Sequence, residues 1–236
     1  MNNNPFKNNV NKKRLRIISL ICLLIISLGL VFNAPIKRAL INSYHPEITR
    51  KSISESEKKK AQYNYESVKK LTLAQIANAK AHSKKVSIVG QIAIPSIGIN
   101  LPIGKGINNT TLALAAGTFR PDMKMGEGNY ALAGHNMSNL GPKLLFSSLY
   151  YKAKPGQKVY VTDLKKVYVY KITQKEFVSK YRVDLVQDTP QKMITLITCD
   201  ATGANRLMVR GKYIKAFSYH HAPQNIRKYF ADKYNK

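Results

Sequence analysis

Acidic residues are scarce in this sequence. Its 236 residues hold 12 Asp and Glu against 39 Lys and Arg, a formal charge of +27. So little compensation implies anionic surroundings: nucleic acid, an anionic membrane face or a polyanionic wall. Cysteine is scarcer still. Cys22 and Cys199 cannot build a disulfide scaffold, and no Cys/His cluster of the zinc-finger kind occurs. No internal repeat is evident, and no second apolar span follows the first. What is present excludes a wholly disordered chain, because 44% of the residues are hydrophobic and can form a core. The length suits one ordinary domain with additional segments.

The N-terminus gives the location. Residues 17–32 read IISLICLLIISLGLVF, without a charge, and residues 33–36 complete the roughly 20 that a membrane span needs. Lys7, Lys12, Lys13, Arg14 and Arg16 precede it with no acid among them. The positive-inside rule then predicts a single-pass membrane protein, with 1–16 in the cytoplasm and the remainder extracellular. A cleaved signal peptide is the competing reading. Cleavage after Ala34 would set Phe32 where a small residue is wanted, so the segment reads as an uncleaved signal-anchor over 17–36. Outside the membrane, nucleic acid is not an expected partner, and the charge serves solubility and attraction to anionic lipid or wall polymer. Cys22 sits in the span as a small apolar residue, which leaves Cys199 for any thiol chemistry.

Residues 37–85 are polar and charge-dense, with no Gly and Pro only at Pro46. They read as a partly helical stem holding a domain off the membrane, its charge runs forming solvated faces. The texture changes at Val86. VSIVGQIAIPSIGINLPIG is rich in Ile and Val and punctuated by Pro95, Gly98 and Pro102. Residues 158–172 read as a hairpin turning near 163–166, and residues 192–199 and 206–217 as further strands around a loop at 200–205. Helix is expected only in short pieces, such as 143–151. The fold class is therefore mainly β: a closed or nearly closed antiparallel barrel over 86–218, followed by a basic, loosely held tail at 219–236.

Cys199 ends the apolar strand 194–198, where a sheet can hold a reactive side chain still at a loop junction. A lone cysteine there is ordinarily core packing, and it becomes a nucleophile only with help for its thiolate. Of five histidines, His45 and His82 lie in the stem and His220 and His221 in the tail. His135 is the one inside the domain, in NYALAGHN, also at a strand-to-loop junction. An oxyanion donor is the third requirement. Arg206 opens the strand after Cys199, and a hairpin-like return would bring it to the thiol; Arg210, of the same parity, is its rival.

These residues match a family pattern. Thr195-Leu196-Ile197-Thr198-Cys199 resembles the Thr-Leu-x-Thr-Cys signature of sortases. Ala133-Gly134-His135-Asn136 resembles their catalytic-histidine segment, and Arg206 before Leu207-Met208-Val209 their catalytic arginine. Gly90-Gln91-Ile92-Ala93-Ile94-Pro95 and Leu101-Pro102-Ile103 look like the opening strands. The resemblance implies an eight-stranded sortase-type β-barrel with short helices, carried by a transmembrane helix and a partly helical stem. It implies a membrane-bound cysteine transpeptidase that cuts a Leu-Pro-x-Thr-Gly sorting signal of surface proteins between Thr and Gly. The threonine carbonyl then passes to a cell-wall precursor amine. Carried over, Cys199 is the nucleophile, His135 the acid and base, and Arg206 the oxyanion and substrate donor. Thr198 helps at the same site, Ala133 lines the groove for Leu-Pro, and Val183 is the substrate-contacting candidate in the loop 173–191.

A single N-terminal anchor and the absence of an Asp-Pro dipeptide resemble the housekeeping, class A type. Some members of that class bind calcium. Here the loop 119–128 holds only Asp122 and Glu127, and 173–192 adds Glu176, Asp184 and Asp188. Calcium takes six or more oxygen ligands and no such cluster is evident, so no metal or other cofactor is expected. Two other functions fit parts of the sequence: an anchored cysteine hydrolase with water as acceptor, and a non-enzymatic basic wall-binding module.

Overall fold

Short runs of Ile, Val and Tyr cannot bury a face alone, and pairing into a closed sheet removes every edge. In the computed structural model, which describes residues 5–65, 68, 71–200, 202–232 and 234 (backbone alone over 5–11), eight strands close into one barrel. They are β1 (Ile88–Ile94), β2 (Ile99–Gly104), β3 (Ala116–Thr118), β4 (Asn129–Ala133), β5 (Lys158–Thr162), β6 (Lys166–Ser179), β7 (Met193–Cys199) and β8 (Asn205–Ser218). Around the barrel the order is β1-β2-β3-β4-β7-β8-β6-β5. Its core includes Ile92, Ile94, Leu101, Ile103, Leu132, Phe146, Val161, Tyr170, Leu196 and Leu207, all essentially without exposure.

The eight-stranded barrel and the 158–172 hairpin are as the sequence predicts. Asp163 makes the hairpin turn: its Oδ1 accepts the N–H groups of Lys165 and Lys166 at 2.9 and 2.7 Å, while Leu164 takes a left-handed φ of 64°. Strand direction departs from expectation. The barrel is mixed, because β2 pairs with β3 and β4 pairs with β7 in parallel. Parallel neighbours need a crossover rather than a tight turn. Residues 105–115, with helix α4 (Asn109–Leu114), supply it between β2 and β3; α5 (Ser147–Lys152) and the β5–β6 hairpin lie between β4 and β7. Strand β6 also continues to Ser179, so the first part of the expected 173–191 loop is sheet, paired along β8.

The chain divides into two compact units, residues 1–36 and 37–236. In the first, helix α1 (Pro5–Asn42, whose last turns belong to the second unit) exposes every large apolar side chain from Leu15 to Phe32. Its stretch Lys12–Asn42 is long and apolar enough to cross a membrane, which fits membrane anchoring.

In the second unit, the expected stem is part of the domain. Ile41, Ile53 and Ile76 are at most 1% exposed, and Tyr44, Leu71 and Ala79 are buried beside them. Helices α2 (Arg50–Lys58) and α3 (Leu73–Ala81) each start in a capping box, Thr49 with Ser52 and Thr72 with Gln75. The basic tail is docked rather than loose. Ala222 and Phe230, the latter in α6 (Gln224–Ala231), pack with Ala93, Tyr160, Val167 and Val169. Gln91 donates to the Phe230 carbonyl and the Tyr234 hydroxyl, and Asn100 donates to the Asp232 carbonyl at 2.7 Å.

Candidate active site

Antiparallel pairing of β7 with β8 sets Cys199 directly opposite Arg206, Ile197 opposite Met208 and Thr195 opposite Arg210. Because side chains alternate along a strand, Cys199, Ile197 and Thr195 share one face with those partners. The return between the strands is fixed by Asp200, whose Oδ1 accepts the Thr202 hydroxyl and the Gly203 N–H while Oδ2 accepts the Asn205 N–H. Gly203 sits at φ 81°, where a side chain would be strained.

The parallel pairing of β4 with β7 brings in the histidine. Ala133 is in register with Ile197, and beyond the strand the Gly134 N–H donates to the Ile197 carbonyl at 3.0 Å. Two residues on, the Asn136 side-chain amide donates to the Cys199 carbonyl at 3.1 Å. His135 is thus bracketed by two bonds to the end of the cysteine strand. Gly134 is required: a Cβ there would stand 2.5 Å from the fully buried Phe146 ring. The Phe146 N–H donates to the His135 carbonyl at 3.1 Å, locking the same junction.

His135, Cys199 and Arg206 line one cavity of about 610 Å³, together with Ala133 and Thr198. Burial pushes the Cys199 thiol up; Arg206 acts against this and Asp200 with it. Burial also lowers His135 to about 4, and its Nε2 is enclosed without a partner. The resting pair at neutral pH is therefore an uncharged thiol and an uncharged imidazole. Arg206 donates through Nη1 to the Gly203 and Asn205 carbonyls at 3.0 Å each and through Nε to the Tyr65 hydroxyl.

The other expected positions fall as follows. Ala133 is buried at the end of β4 and packs with Ile107 and Leu112. Thr198 is in register with the buried Leu207, on the face opposite Cys199, and its hydroxyl is enclosed without a partner. Val183 is 61% exposed and begins a short helical turn, Val183–Val186. It lines a second, smaller cavity of about 190 Å³ with Phe119, Val178, Val186 and Ile197. Arg210 lines neither cavity; it donates to Thr195 Oγ1 and the Leu185 carbonyl.

Two residues at the site were not singled out from sequence. Asn136 orients the junction as described. Tyr65, from the segment before α3, packs against Phe119 in a tilted ring pair, centroids 5.7 Å apart, and its ring lies under the Arg206 guanidinium. With Ile197 and Arg206 it lines both cavities. An aromatic pair, Tyr63 and Tyr65, inside an otherwise polar stretch was the available signal.

The acids of the loops are spent on cations and amides. Asp122 and Asp188 pair with Arg120, Glu127 with Lys124 and Asp184 with Arg182. Among the described residues no three His, Cys, Asp or Glu gather as a metal-ligand group.

The sortase domain family model matches residues 92–214. The chain is 40% identical over 243 residues to sortase A of Streptococcus agalactiae, covering 96% of this chain and 98% of that protein. It is 37% identical over 185 residues to sortase A of Listeria monocytogenes, covering 76% and 82%. The solved structure of the Listeria monocytogenes sortase A superposes with a TM-score of 0.57 at 37% identity, over 62% of this chain and 99% of that one.

Proposed function

This chain belongs to the sortase family, in its class A type, and is a transpeptidase of cell-wall anchoring; on that premise we propose that it cuts a Leu-Pro-x-Thr-Gly sorting signal through a thioester on Cys199. The observation that carries this reading is the meeting of Cys199, His135 and Arg206 in one cavity, two of them direct register partners.

In this mechanism the sorting signal lies along the cavity that holds Cys199, with its threonine carbonyl at the thiol. The thiol proton passes to the His135 imidazole as Sγ attacks the carbonyl carbon. Negative charge develops on the carbonyl oxygen, and Arg206, with backbone N–H groups, stabilises it. The C–N bond to glycine breaks as the imidazolium returns the proton to the departing amine. The acyl group then rests on sulfur. An amine of a wall precursor attacks the thioester and His135 takes its proton; the C–S bond then breaks, the imidazolium passes that proton to sulfur, and the new amide leaves Cys199 as a free thiol. Burial of the neutral thiol and imidazole supports this order, because charge is created only when a substrate is present.

The substrates in this reading are surface proteins with a C-terminal sorting signal, and the acceptor is a wall-precursor amine. The reaction needs no metal. The membrane helix holds residues 1–16 in the cytoplasm and the barrel outside, as the basic residues before the span favour. The test is product analysis with a sorting-signal peptide and an added amine. The expected product is the new threonine amide, absent with Cys199→Ala. Free threonine acid as the sole product would assign a hydrolase instead.

A further inference from the structure

The wall of the smaller cavity is built in an unusual way. A four-residue helical turn, Val183–Val186, leaves its last carbonyls without internal partners, and buried carbonyls must find donors. Three successive carbonyls find them on the barrel. Asn129, the first residue of β4 and 1% exposed, donates one amide hydrogen to the Leu185 carbonyl and the other to the Gln187 carbonyl, each at 2.9 Å. Arg120 donates to the Val186 carbonyl between them. Arg210 adds a second donor to the Leu185 carbonyl at 3.1 Å.

Asn129 has no idle polar atom. Its Oδ1 accepts the buried Thr195 hydroxyl at 2.7 Å, its N–H donates to Asp188 at 3.0 Å, and its carbonyl accepts from Arg120 at 3.3 Å. Thr195 lies in the cysteine strand itself, four residues before Cys199. One side chain therefore ties the turn 183–187 to β4 and β7 together. The tie places Leu185 against Ile197 and Met208, and sets Val183 and Val186 as one wall of the cavity beside Arg206.

We propose that Asn129 is a positioning residue for donor recognition: it clamps the turn 183–187 at the depth that admits the apolar part of the sorting signal. This rests on the transpeptidase reading. Asn129 touches none of the reacting atoms, so its effect appears in substrate admission and not in the reactivity of Cys199. Asn129→Asp keeps size and the Thr195 acceptor. It cannot donate to the two carbonyls, and it sets a second carboxylate beside Asp188.

The experiment compares the full wild-type chain and Asn129→Asp in detergent micelles, with a Leu-Pro-x-Thr-Gly peptide and its Leu-to-Ala analogue. The expected result is a KM about tenfold higher with kcat within about threefold, and alkylation of Cys199 by iodoacetamide within about twofold of wild type. Discrimination between the two peptides should also fall about tenfold. Unchanged KM and discrimination would overturn the proposal, as would a joint loss of kcat and alkylation, which would make Asn129 a support of the cysteine strand. If the buried aspartate prevents folding, Arg210→Met removes the second donor to Leu185 together with the Arg210 bond to Thr195, leaves Asn129 in place, and should raise KM about threefold with alkylation of Cys199 unchanged. If the wild-type chain joins no peptide, the function reading fails, and the clamp is judged by hydrogen exchange alone. Exchange of the Leu185 and Gln187 amides about tenfold faster in Asn129→Asp supports it, and equal exchange overturns it.

Discussion

Cys199 and Arg206 are register partners across β7 and β8, one the last residue of its strand and the other the second residue of the next. No loop intervenes in this relationship. The sheet itself fixes a cation beside a thiol that burial otherwise holds in its neutral form. The position makes Arg206 an electrostatic partner of sulfur, lowering the pKa that burial raises.

Arg206→Gln should therefore slow the thiol before any substrate is involved. Arg206 lowers the Cys199 pKa, so its removal raises that pKa and reduces the thiolate fraction near neutral pH. Iodoacetamide alkylation of Cys199 at pH 7.5 should fall, with the deficit closing as pH rises and both thiols ionise. Joining of peptide to amine should fall much further, by about 100-fold or more, because the proposed mechanism also loses its oxyanion donor.

His135 should titrate far below an ordinary histidine. Its pKa is about 4 against 6.5 when free, so between those values the native state binds fewer protons than the unfolded chain. Its contribution to stability is complete above about pH 6.5 and is lost as pH falls toward 4. Proton NMR of the imidazole should give a midpoint below 5, and His135→Gln should flatten the acid side of the stability profile. A midpoint near 6.5 would mean the ring is solvated.

A chain beginning at residue 86 should be much less stable than one beginning at residue 37. Removing 37–85 strips Ile41, Ile53 and Ile76 from the domain, and full burial of an apolar side chain is worth about 1.5–3 kcal/mol each. Thermal unfolding should show Tm lower by about 10 °C or more. The shorter chain also lacks Tyr65, the hydroxyl partner of Arg206.

Chelation should leave the reaction unchanged. Asp122 and Asp188 already face Arg120, and Asp184 faces Arg182. Joining rates with EDTA and with added calcium should agree within about twofold, since a required calcium site would need six or more oxygen ligands. A calcium-dependent rise in rate would show that these acids rearrange around an ion.

Local features were more legible in the sequence than the long-range contacts that arrange them. The apolar strand ending in Cys199, the AGH junction and the Asp163 hairpin are local patterns, and local patterns survive translation into structure. Which strands run parallel is set by contacts between β4 and β7, some 60 residues apart, and nothing in either strand's composition states it. The docking of residues 37–85 and of the tail was hidden because their apolar residues are few and widely spaced. Ile41, Ile53, Ile76 and Phe230 each fill a place on the barrel without forming a long stripe. Arg206 and Arg210 were indistinguishable by parity. Only the site separates them, Arg206 beside Cys199 and Arg210 beneath the Leu185 turn.

The central claim is tested most directly by intact-mass and peptide-mapping mass spectrometry of the full chain mixed with a Leu-Pro-x-Thr-Gly peptide in the absence of an acceptor amine. A covalent adduct equal to the peptide through its threonine, mapped to Cys199 and discharged by adding amine, is the predicted result. Joining of peptide to amine with no acyl group ever found on Cys199, or by a Cys199→Ala chain, would contradict the account.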